Sequence, residues 1–68
     1  MEEKKIMQEI WKEALQLDTL PKTDESFFDL GGNSFIASKV CLIYEEKTGN
    51  TIEISDFYDR ETIDGLVG

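Results

Sequence analysis

Ser34 is the residue whose type and setting could support chemistry in this chain. It follows Gly31, Gly32 and Asn33 and opens an apolar run with helical spacing. This placement presents a hydroxyl at a helix N-terminus, where backbone N–H groups and the helix dipole favour a phosphate group. A serine in this position by itself would most often cap the helix. We expect the function to depend on Ser34 and on what is attached there.

Residue types that catalysis commonly needs are missing from the sequence. The chain has no His and a single cysteine, Cys41. It therefore has no imidazole base, no Ser-His-Asp triad and no His- or thiolate-ligated metal site. It also lacks a Walker loop, a G-x-G-x-x-G sequence and EF-hand spacing. We predict no catalytic residues, no metal and no enzyme activity of its own.

Length and composition indicate one small domain over residues 1–68. The sequence is 40% hydrophobic and includes four Phe, two Tyr and one Trp, which is typical of a folded globule with a small core. It has no apolar run of membrane-spanning length, and its N-terminus lacks the apolar stretch of a signal peptide. A single cysteine excludes an internal disulfide and favours a reducing, cytoplasmic setting.

The charge is acidic and unevenly distributed. The net charge is −8, and residues 24–68 account for −7 of it, with ten acidic and three basic residues. An acidic surface repels nucleic acid and anionic membranes, so we expect neither as a partner. The acidic surface could serve solubility alone. Alternatively, it could speed the encounter with a basic protein partner.

Apolar spacing predicts an all-α bundle of three main helices and a short one. The first helix is predicted from Glu2 to Leu17 and is expected to end at Asp18–Pro21, since the residue before proline avoids the α region. A long connector of about a dozen residues follows. Its apolar residues Phe27, Phe28 and Leu30 are expected to anchor it in the core, and the glycine pair to supply a turn.

The second helix is predicted from Ser34 to Lys47, with Gly49-Asn50 as its C-terminal signal. On a helical wheel its core face comprises Ile36, Ala37, Val40, Cys41, Ile43 and Tyr44. The opposite face comprises Ser34, Phe35, Ser38, Lys39, Leu42, Glu45 and Glu46. Phe35 and Leu42 are apolar residues on a face that should contact solvent. Because they share it with Ser34, we expect this face, including Ser38 and Lys39, to dock partners.

The remaining segment predicts two short elements. Thr51–Ile54 alternates like a strand but is too isolated to build a sheet, so we interpret it as an extended lead-in. Ser55 or Asp56 is expected to cap a short helical turn. Thr62 is expected to cap a last helix, whose inward-facing residues are Ile63, Leu66 and Val67.

The segment Phe27–Ser34 resembles the phosphopantetheine attachment motif of carrier proteins. With its glycine pair it is most similar to peptidyl (thiolation) carrier domains of nonribosomal peptide synthetases, which commonly read F-F-x-L-G-G-[HD]-S. Ile54–Tyr58 and Thr62–Leu66 are similar to the third and fourth helices of that family. The resemblance covers nearly the whole chain and implies an acyl carrier protein-like four-helix bundle.

The resemblance also implies a cofactor and partners. In that family 4′-phosphopantetheine is joined to a serine by a phosphodiester, and a Mg²⁺-dependent transferase installs it from coenzyme A. The attachment position maps to Ser34, with Gly32 and Asn33 beside it. The arm's thiol carries an acyl, aminoacyl or peptidyl group as a thioester. The implied partners are the phosphopantetheinyl transferase, an adenylation or loading enzyme, and condensation, tailoring or thioesterase domains, around a monomeric carrier.

Three residues depart from the usual family pattern. Asn33, which is neutral and able to cap, stands where His or Asp is commoner. Phe35 replaces the usual leucine, and Glu61 stands where many members have proline. These departures and the acidic charge leave open a free-standing carrier or a polyketide-type acyl carrier. An alternative of another class is an unmodified, small acidic helical adaptor that binds a basic protein.

Overall fold

A computed structural model describes residues 3–67 and shows an all-helical chain. Its elements are α1 (Glu3–Leu15), α2 (Ser34–Thr48), α3 (Ile54–Arg60) and α4 (Ile63–Val67). A long connector joins α1 to α2, as predicted. The predicted start at Glu2 lies outside the described residues. Within residues 3–67, no helix combines the length and apolar character needed to cross a membrane.

One core joins the four helices and the connector. Its buried side chains are Met7, Ile10, Trp11, Phe27, Ala37, Val40, Tyr44, Phe57 and Ile63. At its centre, the ring centroid of Phe27 lies 5.0 Å from that of Trp11 and 4.8 Å from that of Phe57. The connector is therefore anchored in the core by Phe27, as predicted. Phe28 and Leu30, the other two predicted anchors, are half-buried.

The prediction for the end of the first helix is wrong by two residues. α1 ends at Leu15, and Gln16 adopts a left-handed conformation with φ of 58°. The Leu17 N–H then donates to the carbonyl of Lys12 at 2.9 Å, which closes the last turn as in a Schellman motif. Backbone hydrogen bonds therefore end the helix well before Pro21.

The prediction for the start of the third helix is also wrong. α3 begins at Ile54, inside the segment expected to be extended, and its N-cap is Glu53 rather than Ser55 or Asp56. The Asp56 carboxylate instead accepts the N–H of Glu53 at 3.1 Å, which is one half of a capping box. Thr62 caps α4 as predicted, because its hydroxyl accepts a backbone N–H three residues later at 3.1 Å.

The connector is attached to the turn between α3 and α4. The Phe27 N–H donates to the Glu61 carbonyl at 2.7 Å, and the Asp64 N–H donates to the Thr23 carbonyl at 2.9 Å. The Ser26 hydroxyl donates to the Glu61 carboxylate at 3.0 Å. Glu61 has a φ of 58°, which a proline ring, held near −65°, could not adopt. The non-proline residue at this position therefore suits the turn that holds the connector.

Candidate functional site

The two glycines before Ser34 serve different purposes. Gly31 has a φ of +99°, a conformation that residues with a Cβ atom rarely adopt. A Cβ atom on Gly32 would lie 2.8 Å from Cζ of Phe27 and closer still to two other ring carbons. Gly31 thus supplies the predicted turn, whereas Gly32 provides the space that the buried ring needs. The sequence pattern alone did not separate these two roles.

Asn33, not Ser34, caps α2. Its backbone is extended, and its side-chain Oδ1 accepts the N–H of Ile36 at 2.9 Å. Ser34 is the first helical residue. The alternative that Ser34 is a helix cap therefore does not hold, and the prediction that Asn33 is able to cap is confirmed, because its side chain accepts the backbone N–H of Ile36. This arrangement leaves the Ser34 hydroxyl free of a capping role on an exposed residue.

The first turn of α2 suits a negatively charged group. The backbone N–H groups of Ser34 and Phe35 belong to the first turn of the helix, where N–H groups have no carbonyl acceptor within the helix. The first turn carries no acidic side chain, so the positive end of the helix dipole is not neutralised there. An exposed hydroxyl beside these donors fits a phosphodiester linked to Ser34.

The face of α2 that carries Ser34 also exposes two large apolar side chains. Phe35 is 69% exposed and Leu42 is 61% exposed. The Nζ atom of Lys39 lies 5.0 Å from the centroid of the Phe35 ring, which is cation–π distance. Ser38 is exposed between them, and its hydroxyl donates to the Phe35 carbonyl at 2.7 Å. The structure therefore brings these four residues together on one exposed surface, the α2 face.

The Cys41 thiol of α2 is not an activated nucleophile. Cys41 is half-buried, and burial, followed by the charge of Asp56, raises the pKa of its thiol. A thiol of raised pKa is protonated at neutral pH and is a poor nucleophile. Among residues 3–67, no group of three His, Cys, Asp or Glu side chains is placed to hold a metal ion.

An aromatic pair between the connector and α3 was not singled out from the sequence. The rings of Phe28 and Tyr58 stack with centroids 4.8 Å apart and planes 30° apart. Phe28 belongs to the connector, and Tyr58 lies on α3 and is 54% exposed. Residues so distant along the chain carry no local signal of this pairing.

Comparison with known proteins connects this site to a family. The family described as "Phosphopantetheine attachment site" matches residues 5–68. PF 1022-synthetase of a Rosellinia species is 38% identical over 64 residues, covering 90% of this chain and 2% of that protein. A hybrid PKS-NRPS synthetase of Gloeophyllum trabeum is 37% identical over 59 residues, covering 85% of this chain and 4% of that protein.

A third relative has similar coverage. Pyochelin synthetase PchE of Pseudomonas aeruginosa is 34% identical over 58 residues, covering 85% of this chain and 4% of that protein. The chain thus spans a few hundredths of the length of these synthetases, whereas the family match includes nearly all of α1 and the whole of α2, α3 and α4. The chain belongs to the phosphopantetheine-attachment family of carrier domains, whose prosthetic group is covalently bound 4′-phosphopantetheine.

Proposed function

We propose that Ser34 carries the phosphopantetheine arm and that this domain serves as a peptidyl carrier in nonribosomal peptide synthesis. The observation that supports this most directly is the capping of α2 by Asn33 through Ile36 N–H at 2.9 Å. The cap leaves the next residue, Ser34, with an exposed hydroxyl at the first helical position.

Each residue around Ser34 has a separate part in the proposal. Ser34 supplies the oxygen that is joined to the phosphate. The first-turn N–H groups of α2 hold the phosphate oxygens. Gly32 and Asn33 lead into α2 and add no negative side chain beside the phosphate. When bound, the arm supplies a thiol that carries an aminoacyl or peptidyl group as an activated thioester on a long tether.

The proposed partners act on the α2 face. Phe35 and Leu42 would be apolar anchors, with Ser38 and Lys39 between them, because a few exposed apolar groups usually dominate a docking surface. A phosphopantetheinyl transferase and a loading enzyme would dock first. Condensation, tailoring or thioesterase domains would follow and would supply the catalysis. The carrier would act as a monomeric single domain in the reducing cytoplasm, a setting that its free thiol, Cys41, fits.

The names of the relatives support the peptide-synthetase setting. One of the three proteins compared above is named a hybrid PKS-NRPS synthetase, and the other two are named PF 1022-synthetase and pyochelin synthetase PchE. That hybrid, together with the net charge of −8, favours a polyketide-type acyl carrier as the second candidate. Both candidates use the same arm on Ser34 and differ in the acyl group that it carries.

Intact-mass measurement after incubation with coenzyme A, Mg²⁺ and a broad-specificity phosphopantetheinyl transferase tests the attachment. The wild-type chain is expected to gain one phosphopantetheine, and Ser34→Ala none. Ser55→Ala is the matched control, since Ser55 is another exposed serine but lies on α3, outside the α2 face, and should gain the group normally. A normal mass gain in Ser34→Ala would remove the attachment from this residue. An unmodified wild-type chain beside a loaded reference carrier would favour the acidic adaptor.

A further inference from the structure

We propose that Glu61, in the turn between α3 and α4, is a positioning residue for the loading of Ser34. The left-handed backbone of Glu61 fixes the place of Phe27, and Phe27 in turn fixes the segment that leads to the attachment residue. This inference rests on the proposed function, because it presupposes that phosphopantetheine is attached at Ser34. It assigns a part in loading to a residue that lies far from Ser34 in the sequence.

Two backbone hydrogen bonds run through one buried residue, Phe27, from the turn between α3 and α4 to the segment before Ser34. The Phe27 N–H donates to the Glu61 carbonyl at 2.7 Å, and the Gly32 N–H donates to the Phe27 carbonyl at 3.0 Å. Gly32 lies two residues before Ser34. The backbone of Phe27 is therefore held by Glu61 on one side and holds Gly32 on the other.

Phe27 is too closely packed to absorb a change at Glu61 alone. It is fully buried, and its ring centroid lies 5.0 Å from that of Trp11 and 4.8 Å from that of Phe57. The same ring leaves no room for a Cβ atom on Gly32. A buried N–H that loses its acceptor costs free energy. If the Glu61 carbonyl changes direction, Phe27 must therefore either follow it, and displace Gly32, or leave its N–H unpaired.

The direction of the Glu61 carbonyl is set by an unusual backbone conformation. Glu61 has a φ of 58°, and its N–H donates to the Phe57 carbonyl at 3.0 Å, which closes the end of α3. A positive φ is uncommon outside glycine and is most strongly disfavoured for β-branched residues. The Glu61 carboxylate adds only an exposed hydrogen bond from the Ser26 hydroxyl at 3.0 Å. The backbone of Glu61, more than its charge, therefore carries the positioning.

Gln16 offers a matched control for this backbone effect. It is exposed like Glu61 and has the same φ of 58°, but it follows α1 and its N–H donates to the Glu13 carbonyl at 3.3 Å. Glu61→Val and Gln16→Val should therefore cost similar stability. Glu61→Gly should retain the turn, since glycine accepts a positive φ. Thermal melts show which variants are folded at the assay temperature, and Glu61→Thr replaces Glu61→Val if the latter is not.

Loading kinetics with a phosphopantetheinyl transferase separate positioning from stability. Intact mass first shows whether the wild-type chain is loaded and Ser34→Ala is not, so a failure there counts against the proposed function and not against this inference. In Glu61→Val we expect the kcat of loading to fall about tenfold, because misplaced reacting groups slow a reaction steeply. The KM for the carrier should change little, because the α2 face is unaltered. Glu61→Gly and Gln16→Val should keep the wild-type kcat.

Backbone amide NMR signals report the displacement itself. The amide signals of Phe27, Gly32 and Ser34 should shift in Glu61→Val and stay in place in Gln16→Val. A wild-type kcat with unshifted signals in a folded Glu61→Val would overturn the proposal. An equal loss of kcat in both valine variants would overturn it as well, because the loss would then follow stability. A loss in Glu61→Gly as large as that in Glu61→Val would also overturn it, and would assign the effect to the carboxylate.

Discussion

The ring of Phe27 occupies the space that a Cβ atom on Gly32 would need. The same ring is packed edge-on against Trp11 at 5.0 Å, and the Phe27 N–H is held by the carbonyl of Glu61 at 2.7 Å. Gly32, two residues before Ser34, is thus in direct contact with the core. The position of the attachment residue therefore depends on core packing as well as on the backbone of Gly31.

Gly32→Ala is expected to lower the free energy of unfolding by about 1–3 kcal/mol, because the new methyl group overpacks the core at Phe27. Urea denaturation measures this loss. A double-mutant cycle with Phe27→Leu isolates its cause, since the smaller side chain leaves room for the methyl group. The cost of Gly32→Ala should then fall clearly. An equal cost in both backgrounds would show that the contact with Phe27 is not responsible.

Asn33→Ala is expected to destabilise the chain by about 1 kcal/mol, because it removes the side-chain acceptor that caps α2. Asn33→Asp should preserve stability, since Asp is an equally good cap. Ser34→Ala should change stability by less than about 0.5 kcal/mol, as for other exposed positions without a special contact. The urea midpoints of the three variants test whether Asn33, and not Ser34, caps α2. A loss in Ser34→Ala as large as that in Asn33→Ala would contradict it.

Phe35→Ala and Leu42→Ala are expected to slow phosphopantetheine loading or later acyl transfer while the melting temperature stays near wild type. Both side chains are more than half exposed, so their removal should affect docking more than stability. Glu45→Ala and Glu46→Ala should have smaller effects that shrink as salt is added, because exposed charges act mainly on encounter. Unchanged rates in both apolar variants would leave Phe35 and Leu42 as ordinary surface residues.

Val40→Asp is expected to unfold the chain, because it would place an unpaired carboxylate in a small core where Val40 is 0% exposed. Ser38→Asp, two residues earlier on the exposed face, should keep the fold. Circular dichroism melts of the two variants test this difference. Similar melting temperatures would mean that the buried and exposed faces of α2 are wrongly placed.

Asp64→Asn is expected to reduce stability slightly at neutral pH and not at all in strong acid. Lys4 Nζ lies 2.9 Å from Asp64 Oδ1, and hydrogen bonds from Lys4 and Thr23 lower the pKa of Asp64. A carboxyl group with a lowered folded-state pKa stabilises the chain above its unfolded pKa and loses that effect as pH falls through the folded value. The pair is exposed, so the difference is small.

Thermal melts of wild type and Asp64→Asn between pH 7 and about pH 2 check this dependence. The gap between the two melting temperatures should close as the pH falls below the pKa of Asp64 in the folded chain. A gap that stays constant to the acid end would assign the effect to packing or to the uncharged hydrogen bonds instead.

Much of this domain could be predicted from its sequence because the relevant signals are local. Helical spacing predicts the α class and the core positions Ala37, Val40 and Tyr44 of α2, which are buried. The same spacing in α2 predicts that Phe35 and Leu42 are exposed. The position of Ser34 shortly after a glycine turn is also encoded within a few residues, because only nearby backbone geometry is involved.

Other features depended on contacts between distant segments. The space at Gly32 is needed only because the core positions the Phe27 ring there. The stacking of Phe28 on Tyr58 arises when the connector packs against α3. These features were settled by tertiary packing, because their free energy comes from contacts that no short segment contains.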